Sequence, residues 1–209
     1  MRRRLLLTLL TVALMGVFAQ SALASGEKLQ FAGGTAAEQA TVRSALDASS
    51  FDWGLLPQAI VVHVGAYGSS YSTYGNVYVD ASLLESGEYA WGVVQHEFGH
   101  QVDFFLLDDA KRSVLQQRLG GADWCYTTPG LAHSDHGCER FASELAWAYW
   151  QSPQNCMSPG STSESGWMPV TQFRALLSEL IGMPTTVSRP AATKAFAPAV
   201  KPKPKPKRR

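Results

Sequence analysis

Two histidines and a glutamate with a fixed spacing are the residues of this chain best suited to chemistry. His96 and His100 are four positions apart in the run HEFGH, and Glu97 directly follows the first. On an α-helix, positions i and i+4 lie on one face, so both imidazole rings can bind a single metal ion. Glu97 then lies beside them and can take a proton from a water on that metal. The spacing predicts a zinc site with Glu97 as general base, against the alternative of two helix histidines with unrelated partners.

The surrounding segment has the pattern of a buried helix. Between residues 89 and 107, apolar side chains recur at intervals of three and four. Gly92 and Gly99 would each weaken an exposed helix by about 1 kcal/mol relative to alanine. In a packed core, small residues instead let a neighbouring element approach closely. A second amphipathic helix is predicted for residues 110–119.

A third metal ligand must come from another segment, because catalytic zinc takes three protein ligands and keeps one position open. Residues 139–150 carry one apolar stripe and are predicted to form a helix. Glu139, at its start, is the best candidate, and Glu144 in the same helix is the competitor. A structural alternative for Glu139 is a charge that complements the helix dipole.

Together these residues resemble the gluzincin metallopeptidases. HEFGHQVD at residues 96–103, followed about 40 residues later by an E-x-F-A helix at Glu139, is most similar to the catalytic domain family of anthrax lethal factor. The resemblance covers residues 59–150 and implies an α+β, zincin-like metalloprotease fold: a small mixed sheet, an active-site helix and further helices. By motif position it implies that His96, His100 and Glu139 bind Zn²⁺ and that Glu97 is the general base.

The chain departs from the family at the group that should stabilise the oxyanion. The family has a tyrosine about two turns before its ligand glutamate, where this chain has Ala132 flanked by His133. In other enzymes, an oxyanion donor contributes about 2.7–4 kcal/mol. His133, His136 and Tyr126 are the available groups, and position favours His133, then His136. Asp103, one turn after His100, is a candidate acceptor for a ligand imidazole.

Upstream segments predict the rest of the domain. Residues 58–65 form a β-branched run typical of a buried strand, and His63 within it is expected to be a packed core residue rather than a ligand. Residues 75–80 alternate as a half-exposed strand just before the zinc helix. In zincin-like folds such a strand forms the cleft edge, where an extended peptide adds by main-chain hydrogen bonds. Further helices are predicted at residues 35–49 and 169–181.

The first 24 residues have the features of a secretory signal peptide. Three arginines precede an apolar stretch at residues 5–18, and Ala22-Leu23-Ala24 forms a cleavage site after Ala24. The alternative is an uncleaved anchor, but the stretch is short for a span of about 20 residues. No other segment has the length and apolarity to cross a membrane. The chain is therefore predicted to be secreted into an oxidising environment, without a stable membrane span.

Three cysteines fit that environment and leave one unpaired. Cys125, Cys138 and Cys156 allow three pairings. Cys138 with Cys156 is preferred because it would clamp both ends of the third-ligand helix region. Cys125 with Cys138 is the alternative, and it would fasten the loop that carries His133 and His136. A cysteine zinc site is disfavoured because no C-x-x-C spacing occurs.

Charge and composition divide the chain into a domain and a tail. Residues 25–183 are long enough for one domain with a substantial core, and residues 184–209 form a Pro/Lys-rich tail predicted to be disordered. Removing the six positive charges of the last nine residues and the three of the leader from the net +1 leaves about −8. The tail either binds an anionic cell-surface polymer or only solubilises the chain. No nucleic-acid partner is predicted.

The predicted function is a secreted zinc-dependent endopeptidase that acts on a peptide or protein substrate. One alternative is a catalytically inactive, zincin-like surface-binding module. Another is a zinc amidase that acts on cell-wall peptides. The complete set of His96, His100, Glu139 and Glu97 favours an enzyme, because loss of catalysis would be expected to erase Glu97 first.

Overall fold

The fold combines one small sheet with six helices, as seen in a computed structural model that describes residues 28–183. The predicted leader at residues 1–24 and the predicted tail at residues 184–209 lie outside the described residues. The elements, in order, are β1 Leu29–Gly33, α1 Ala36–Ala48, β2 Ile60–Gly65, β3 Tyr71–Thr73, β4 Asn76–Asp80, α2 Ala81–Leu84, α3 Glu88–Leu106, α4 Asp109–Leu119, α5 Gly137–Tyr149 and α6 Val170–Ile181. The predicted mixed α+β class with a small mixed sheet is confirmed.

The sheet has the order β1-β2-β4-β3, with β3 antiparallel to β4 and the other pairs parallel. In β2, Val62 and Val64 face the core, whereas His63 lies on the opposite face. The His63 ring stacks on Tyr78 with centroids 4.4 Å apart, and its Nε2 atom lies 3.0 Å from Asn76 Oδ1. The prediction of His63 as a packed core residue is therefore wrong, because strand alternation turns it outward between two buried valines.

The strand at the cleft edge of the sheet is β3, whereas the sequence predicted residues 75–80 for this position. β4 lies between β2 and β3, so the expectation that residues 75–80 form the cleft edge is wrong. The chain reverses after β3 at Tyr74-Gly75, where Gly75 has a φ of 77°. β3 has only three residues, too few to show a recognisable alternation in the sequence.

Helices α3 and α5 pack closely against each other where Gly99 meets Ala142. Val94, Phe98 and Val102 of α3 are buried in the core. A Cβ atom built on Gly99 would lie 2.9 Å from Ala142 Cα, so glycine is what allows the two backbones to approach. This contact confirms the prediction that a small residue in the helix lets a neighbouring element approach closely.

The longer helices agree with the sequence prediction to within two residues at each end. The segments missed were β1, β3 and the four-residue α2. Among residues 28–183, none of the helices is both long and apolar enough to cross a membrane.

The cysteine pairing differs from the preferred one. Cys125 and Cys138 form the disulfide, with Cα atoms 5.4 Å apart, and Cys156 is a buried free thiol. Cys138 lies in the first turn of α5, whereas the chain that follows α5 carries Cys156 to the first turn of α3. There, Cys156 Sγ lies 3.3 Å from the Tyr89 carbonyl oxygen. The alternative pairing, which fastens the loop before α5, is the correct one.

Candidate metal centre

Helices α3 and α5 bring two imidazoles and a carboxylate together. His96 and His100 lie on the face of α3 that meets α5, and Glu139 lies in the first turn of α5. Glu139 Oε2 lies 3.1 Å from His96 Nε2 and 3.2 Å from His100 Nε2, and the two Nε2 atoms are 3.2 Å apart. All three residues are buried.

The size and chemistry of this triangle suit a zinc ion. Zinc binds histidine nitrogen and carboxylate oxygen at about 2.0–2.2 Å, which in tetrahedral geometry places the ligand atoms about 3.3 Å apart. The observed separations of 3.1 and 3.2 Å are close to this value. Ligand atoms whose lone pairs converge in a buried place need a cation or a proton between them. The residues present therefore fit the metal that their spacing predicts.

Electrostatics at the triangle favour positive charge. Burial alone would raise the pKa of Glu139, but hydrogen bonds with His100 and His96 hold it well below its usual range. Burial alone would lower the pKa of His100, but the hydrogen bond and the charge of Glu139 raise it. In both cases the carboxylate is kept ionised and a positive charge beside it is stabilised.

Glu97 extends into the same cleft and is held by the edge strand. Its Oε2 atom accepts a hydrogen bond of 2.9 Å from Ser72 Oγ, which also lies 2.9 Å from the Glu97 backbone oxygen. Ser72 belongs to β3, so the sheet edge is attached directly to the helix that carries both histidines. Sequence reasoning missed Ser72, because a serine in a Gly/Ser/Tyr-rich segment carries no distinguishing signal.

Two of the three candidate donors from the loop before α5 reach the site. His133 Nε2 lies 3.3 Å from Glu139 Oε2, with 56% of the side chain exposed. The Tyr126 hydroxyl donates a 2.9 Å hydrogen bond to Glu139 Oε1, although sequence position ranked this tyrosine behind the histidines. Tyr126 has a φ of 51°, which a tyrosine rarely adopts, and the neighbouring Cys125–Cys138 disulfide helps to hold it there.

The third candidate, His136, is turned away from the cleft. Its side chain is 2% exposed, and its Nδ1 atom lies 2.5 Å from Asp123 Oδ1. The ring packs under Tyr126, with centroids 4.1 Å apart. Unlike the other two candidates, His136 does not line the cleft, and its ring faces Asp123 inside the loop before α5.

Two carboxylates considered from the sequence have other partners. Asp103 Oδ1 lies 2.7 Å from Arg112 Nε and its Oδ2 lies 3.1 Å from Trp124 Nε1, so Asp103 orients the loop rather than a ligand imidazole. Glu144 is fully buried and accepts hydrogen bonds from the backbone N–H groups of Trp167 and Met168. Of the two candidate third ligands, only Glu139 lies near both histidines.

Glu164 is a further charged residue of the site that the sequence did not reveal. Its Oε1 atom lies 2.7 Å from His133 Nδ1, and its Oε2 atom accepts a 2.9 Å hydrogen bond from Ser143 Oγ. Ser143 Oγ in turn lies 3.0 Å from His96 Nδ1. Glu164 lies in a Ser/Gly-rich loop without periodicity, and nothing in the local pattern marks it.

A cleft of about 720 Å³ is lined by the ligand triangle together with Ser72, Glu97, Tyr126, His133 and Glu164. Tyr71 of β3 forms one wall, Tyr89 and Val93 of α3 contribute apolar surface, and Met157 and Thr162 close the other side. Its volume falls within the range of about 300–1,000 Å³ typical of ligand pockets. The arrangement can hold a metal ion, a water with a neighbouring base, and an extended substrate.

Comparison with known proteins adds no identification. No protein-family model, no curated protein and no solved structure matches the chain. The side chains of the cleft are therefore the evidence on which a function can be proposed.

Proposed function

We propose that this chain is a secreted, zinc-dependent metallopeptidase with a zincin-like fold. The single observation that carries the proposal is the triangle formed by His96, His100 and Glu139 at a cleft that Glu97 also lines. Secretion is inferred from the leader sequence ending at Ala24. The Lys/Pro-rich end of the sequence suits attachment to an anionic cell-surface polymer.

In this proposal, His96, His100 and Glu139 hold the zinc. When bound, zinc supplies a Lewis acid that polarises a carbonyl group and lowers the pKa of a coordinated water toward about 7. Glu97 would accept a proton from the water that attacks the peptide carbonyl carbon. The same carboxyl group then delivers the proton to the departing amine. Ser72 keeps the Glu97 carboxylate in place through the 2.9 Å hydrogen bond to Oε2.

The loop before α5 provides two groups for the negative charge that develops on the carbonyl oxygen. His133 Nε2 and the Tyr126 hydroxyl both lie within hydrogen-bond distance of Glu139. A substrate oxygen beside the ligand carboxylate would therefore be within reach of the Tyr126 hydroxyl and of the Nε2 atom of a protonated His133, whose pKa the hydrogen bond to Glu164 raises. Preorganised donors of this kind act on the transition state more strongly than on the substrate.

The edge strand β3 suits an extended peptide. β3 pairs with β4 on one side only within residues 28–183, and Tyr71 and Ser72 line the cleft. A peptide that added to the free side would form main-chain hydrogen bonds with the strand that holds Glu97. Its scissile carbonyl group would then pass close to the proposed zinc.

Elemental analysis of the purified protein tests the metal site. We expect one zinc per chain in the native protein and almost none in Glu139→Ala. Glu144→Gln tests the competing third ligand of the same helix, and Glu179→Gln, which changes an exposed carboxylate of α6, is the matched control. Zinc that persists in Glu139→Ala and disappears in Glu144→Gln would reject the proposed ligand set.

Digestion of a peptide library tests the reaction. Glu97→Ala should retain zinc and lose about 10²–10⁴-fold in kcat, the usual contribution of a general base. Equal cleavage by native protein and Glu97→Ala would attribute the activity to a contaminant and remove the support for a peptidase.

A further inference from the structure

We propose that Glu164 is a positioning residue that keeps the ring proton of His96 on Nδ1 and, at the same time, fixes the orientation of the His133 ring. One branch runs from Glu164 through Ser143 to the ligand His96, and the other runs directly to the donor His133. The inference rests on the proposed zinc peptidase function and adds to it a residue that couples metal binding to oxyanion stabilisation.

The first branch is a chain of two hydrogen bonds. Glu164 Oε2 lies 2.9 Å from Ser143 Oγ, and Ser143 Oγ lies 3.0 Å from His96 Nδ1. Ser143 is fully buried, and the Glu164 side chain is 15% exposed. Solvent therefore competes little for either bond.

The directions of these bonds follow from the donor and acceptor inventory. An ionised carboxylate only accepts hydrogen bonds, so Ser143 must give its one hydroxyl proton to Glu164. The Met157 sulfur, 3.3 Å from Ser143 Oγ, is a much weaker acceptor and does not compete. Ser143 Oγ can then only accept from His96, which places the ring proton on Nδ1. With the ring proton held on Nδ1, Nε2 is the atom of His96 that would present a lone pair to a metal ion at the triangle.

The second branch is a direct bond to the donor histidine. His133 Nδ1 donates to Glu164 Oε1 over 2.7 Å, which leaves His133 Nε2 on the side of the cleft, 3.3 Å from Glu139 Oε2. Because the His133 side chain is 56% exposed, packing alone does not fix its ring. The Glu164 carboxylate supplies that orientation, and one residue thus serves both a ligand and a donor.

The loop that carries Glu164 is fixed to the helix that carries the ligand. Glu144 of α5 accepts hydrogen bonds from the N–H groups of Trp167 and Met168, just after Glu164. The Arg140 guanidinium lies 3.6 Å from the centroid of the Trp167 ring. α5 therefore positions Glu139 and Ser143 directly, and it positions Glu164 through the hydrogen bonds of Glu144 to the loop.

Zinc affinity, measured by competition with a chromophoric chelator, tests the first branch. Ser143→Ala and Glu164→Ala should each weaken zinc binding by about tenfold or more, as is usual for residues that orient a ligand. The double variant should bind zinc no more weakly than Glu164→Ala alone, because both changes break one chain of bonds. Glu179→Gln, which removes an exposed carboxylate from α6, is the matched control and should bind zinc like the native protein.

Peptidase kinetics separate the two branches. Glu164→Ala should lose more kcat than Ser143→Ala, since it also releases His133. In a His133→Ala background, Glu164→Ala and Ser143→Ala should reduce kcat equally. A larger loss from Glu164→Ala in that background would contradict the second branch.

Two-bond ¹H–¹⁵N spectra of the histidines in zinc-free protein provide a readout that a purely structural role would not change. Native His96 should show a proton on Nδ1 that exchanges slowly with solvent, and this proton should exchange much faster in Glu164→Ala. Glu164→Gln preserves the shape of the side chain and, with one acceptor oxygen in place of two, should retain only one branch. Unchanged His96 signals and zinc affinity in Glu164→Ala would overturn the proposal. A native protein that binds zinc without cleaving peptides would refute the peptidase function while leaving this test intact.

Discussion

The helix pair α3/α5 and the two loops at residues 120–136 and 150–168 build the same cleft by different means. In the helices, the apolar period decides which face is buried, and the close contact at Gly99 sets the distance between ligand positions. In the loops, a few individual side-chain contacts fix each functional residue. Metal-ligand geometry is thus encoded in periodic patterns, whereas the groups around the metal depend on pairwise contacts with no periodic signature.

Three such contacts define the loops. The Cys125–Cys138 disulfide ties the 120–136 loop to the first turn of α5. The Asp123 carboxylate accepts hydrogen bonds from Thr127 and Thr128 within the same loop and lies against His136. Glu144 fixes the end of the 150–168 loop. Removing one of them should disturb loop residues while the helix ligands stay in place, and this asymmetry is open to test.

Substitution in the helix pair should have the largest effect. Gly99→Val would force side-chain atoms into Ala142, whose Cα atom already lies 2.9 Å from a Cβ placed at position 99. Overpacking of this kind costs about 3 kcal/mol or more, and separation of α3 from α5 should also abolish tight zinc binding. Urea unfolding and chelator competition measure the two effects.

A compensating pair provides the control for this substitution. Gly99→Ala combined with Ala142→Gly keeps the side-chain volume at the contact and should recover part of the stability lost in Gly99→Ala alone. Recovery should be incomplete, because the Cα atom and the backbone oxygen of residue 142 remain 2.9 Å and 3.3 Å from the added Cβ. A fully native Gly99→Val would mean that helix spacing does not set the ligand geometry.

Removal of the disulfide should have the next largest effect. Unlike Gly99→Val, it should lower stability and kcat more than zinc affinity. The bridge spans a sequence separation of 13, so replacing both Cys125 and Cys138 by serine should cost about 3 kcal/mol by chain entropy. Zinc affinity should fall far less than in Gly99→Val, because helix packing holds the ligands. The kcat value should drop markedly, because Tyr126 and His133 lose their fixed positions.

Cys156→Ser is the control for the cysteine substitutions. Burial raises the pKa of the Cys156 thiol to about 11, so this thiol stays protonated and does not take part in exchange. The variant should retain native kcat. Loss of zinc from the disulfide-free protein, at native-like secondary structure, would show that the loop rather than the helix pair places Glu139.

The sequence predicts those parts of the fold whose signal is repetitive. The helix containing His96 and the helix containing Glu139 were located because their apolar residues recur over many turns. β3 was missed because three residues are too short to alternate. His63 was misassigned because a single residue within a β-branched run does not reveal which face its strand buries.

The same division applies to the candidate site: its helix residues could be predicted from the sequence, whereas the orientation of its loop residues could not. His96, His100, Glu97 and Glu139 lie on helices, and the structure brings them into one cleft. His136 and His133 are three residues apart in one loop, and no local rule indicates that one faces Asp123 and the other faces Glu139. Glu164 meets Ser143 across 21 positions of chain, a contact that only the folded loop creates.

Loss of the Tyr126 hydroxyl should have a moderate effect confined to the site. Tyr126→Phe removes the 2.9 Å hydrogen bond to Glu139 Oε1 and keeps the ring packed on His136. Zinc affinity should fall by about tenfold at most, and kcat should fall with it. Stability in urea should hardly change. Tyr74→Phe, at an exposed tyrosine outside the cleft, should leave zinc affinity and kcat native.

The smallest effect is a pH dependence that arises in the 120–136 loop. Although burial opposes it, hydrogen bonds from His136, Thr128 and Thr127 lower the pKa of Asp123 to about 2. The unfolded chain binds this proton near pH 3.9, so the ionised carboxylate stabilises the fold above about pH 4. That contribution is lost as the pH falls through about 2.

Asp123→Asn should therefore be less stable than native protein at pH 6, and the difference in free energy of unfolding should shrink between about pH 4 and 2. Urea unfolding of zinc-free native and variant protein across this range measures the difference without a contribution from metal release. Helix-borne residues do not depend on this carboxylate, so the helix signal at 222 nm should be equal in the two folded proteins. A stability difference that is constant with pH would show that the shape of the Asp123 side chain, rather than its charge, holds the loop.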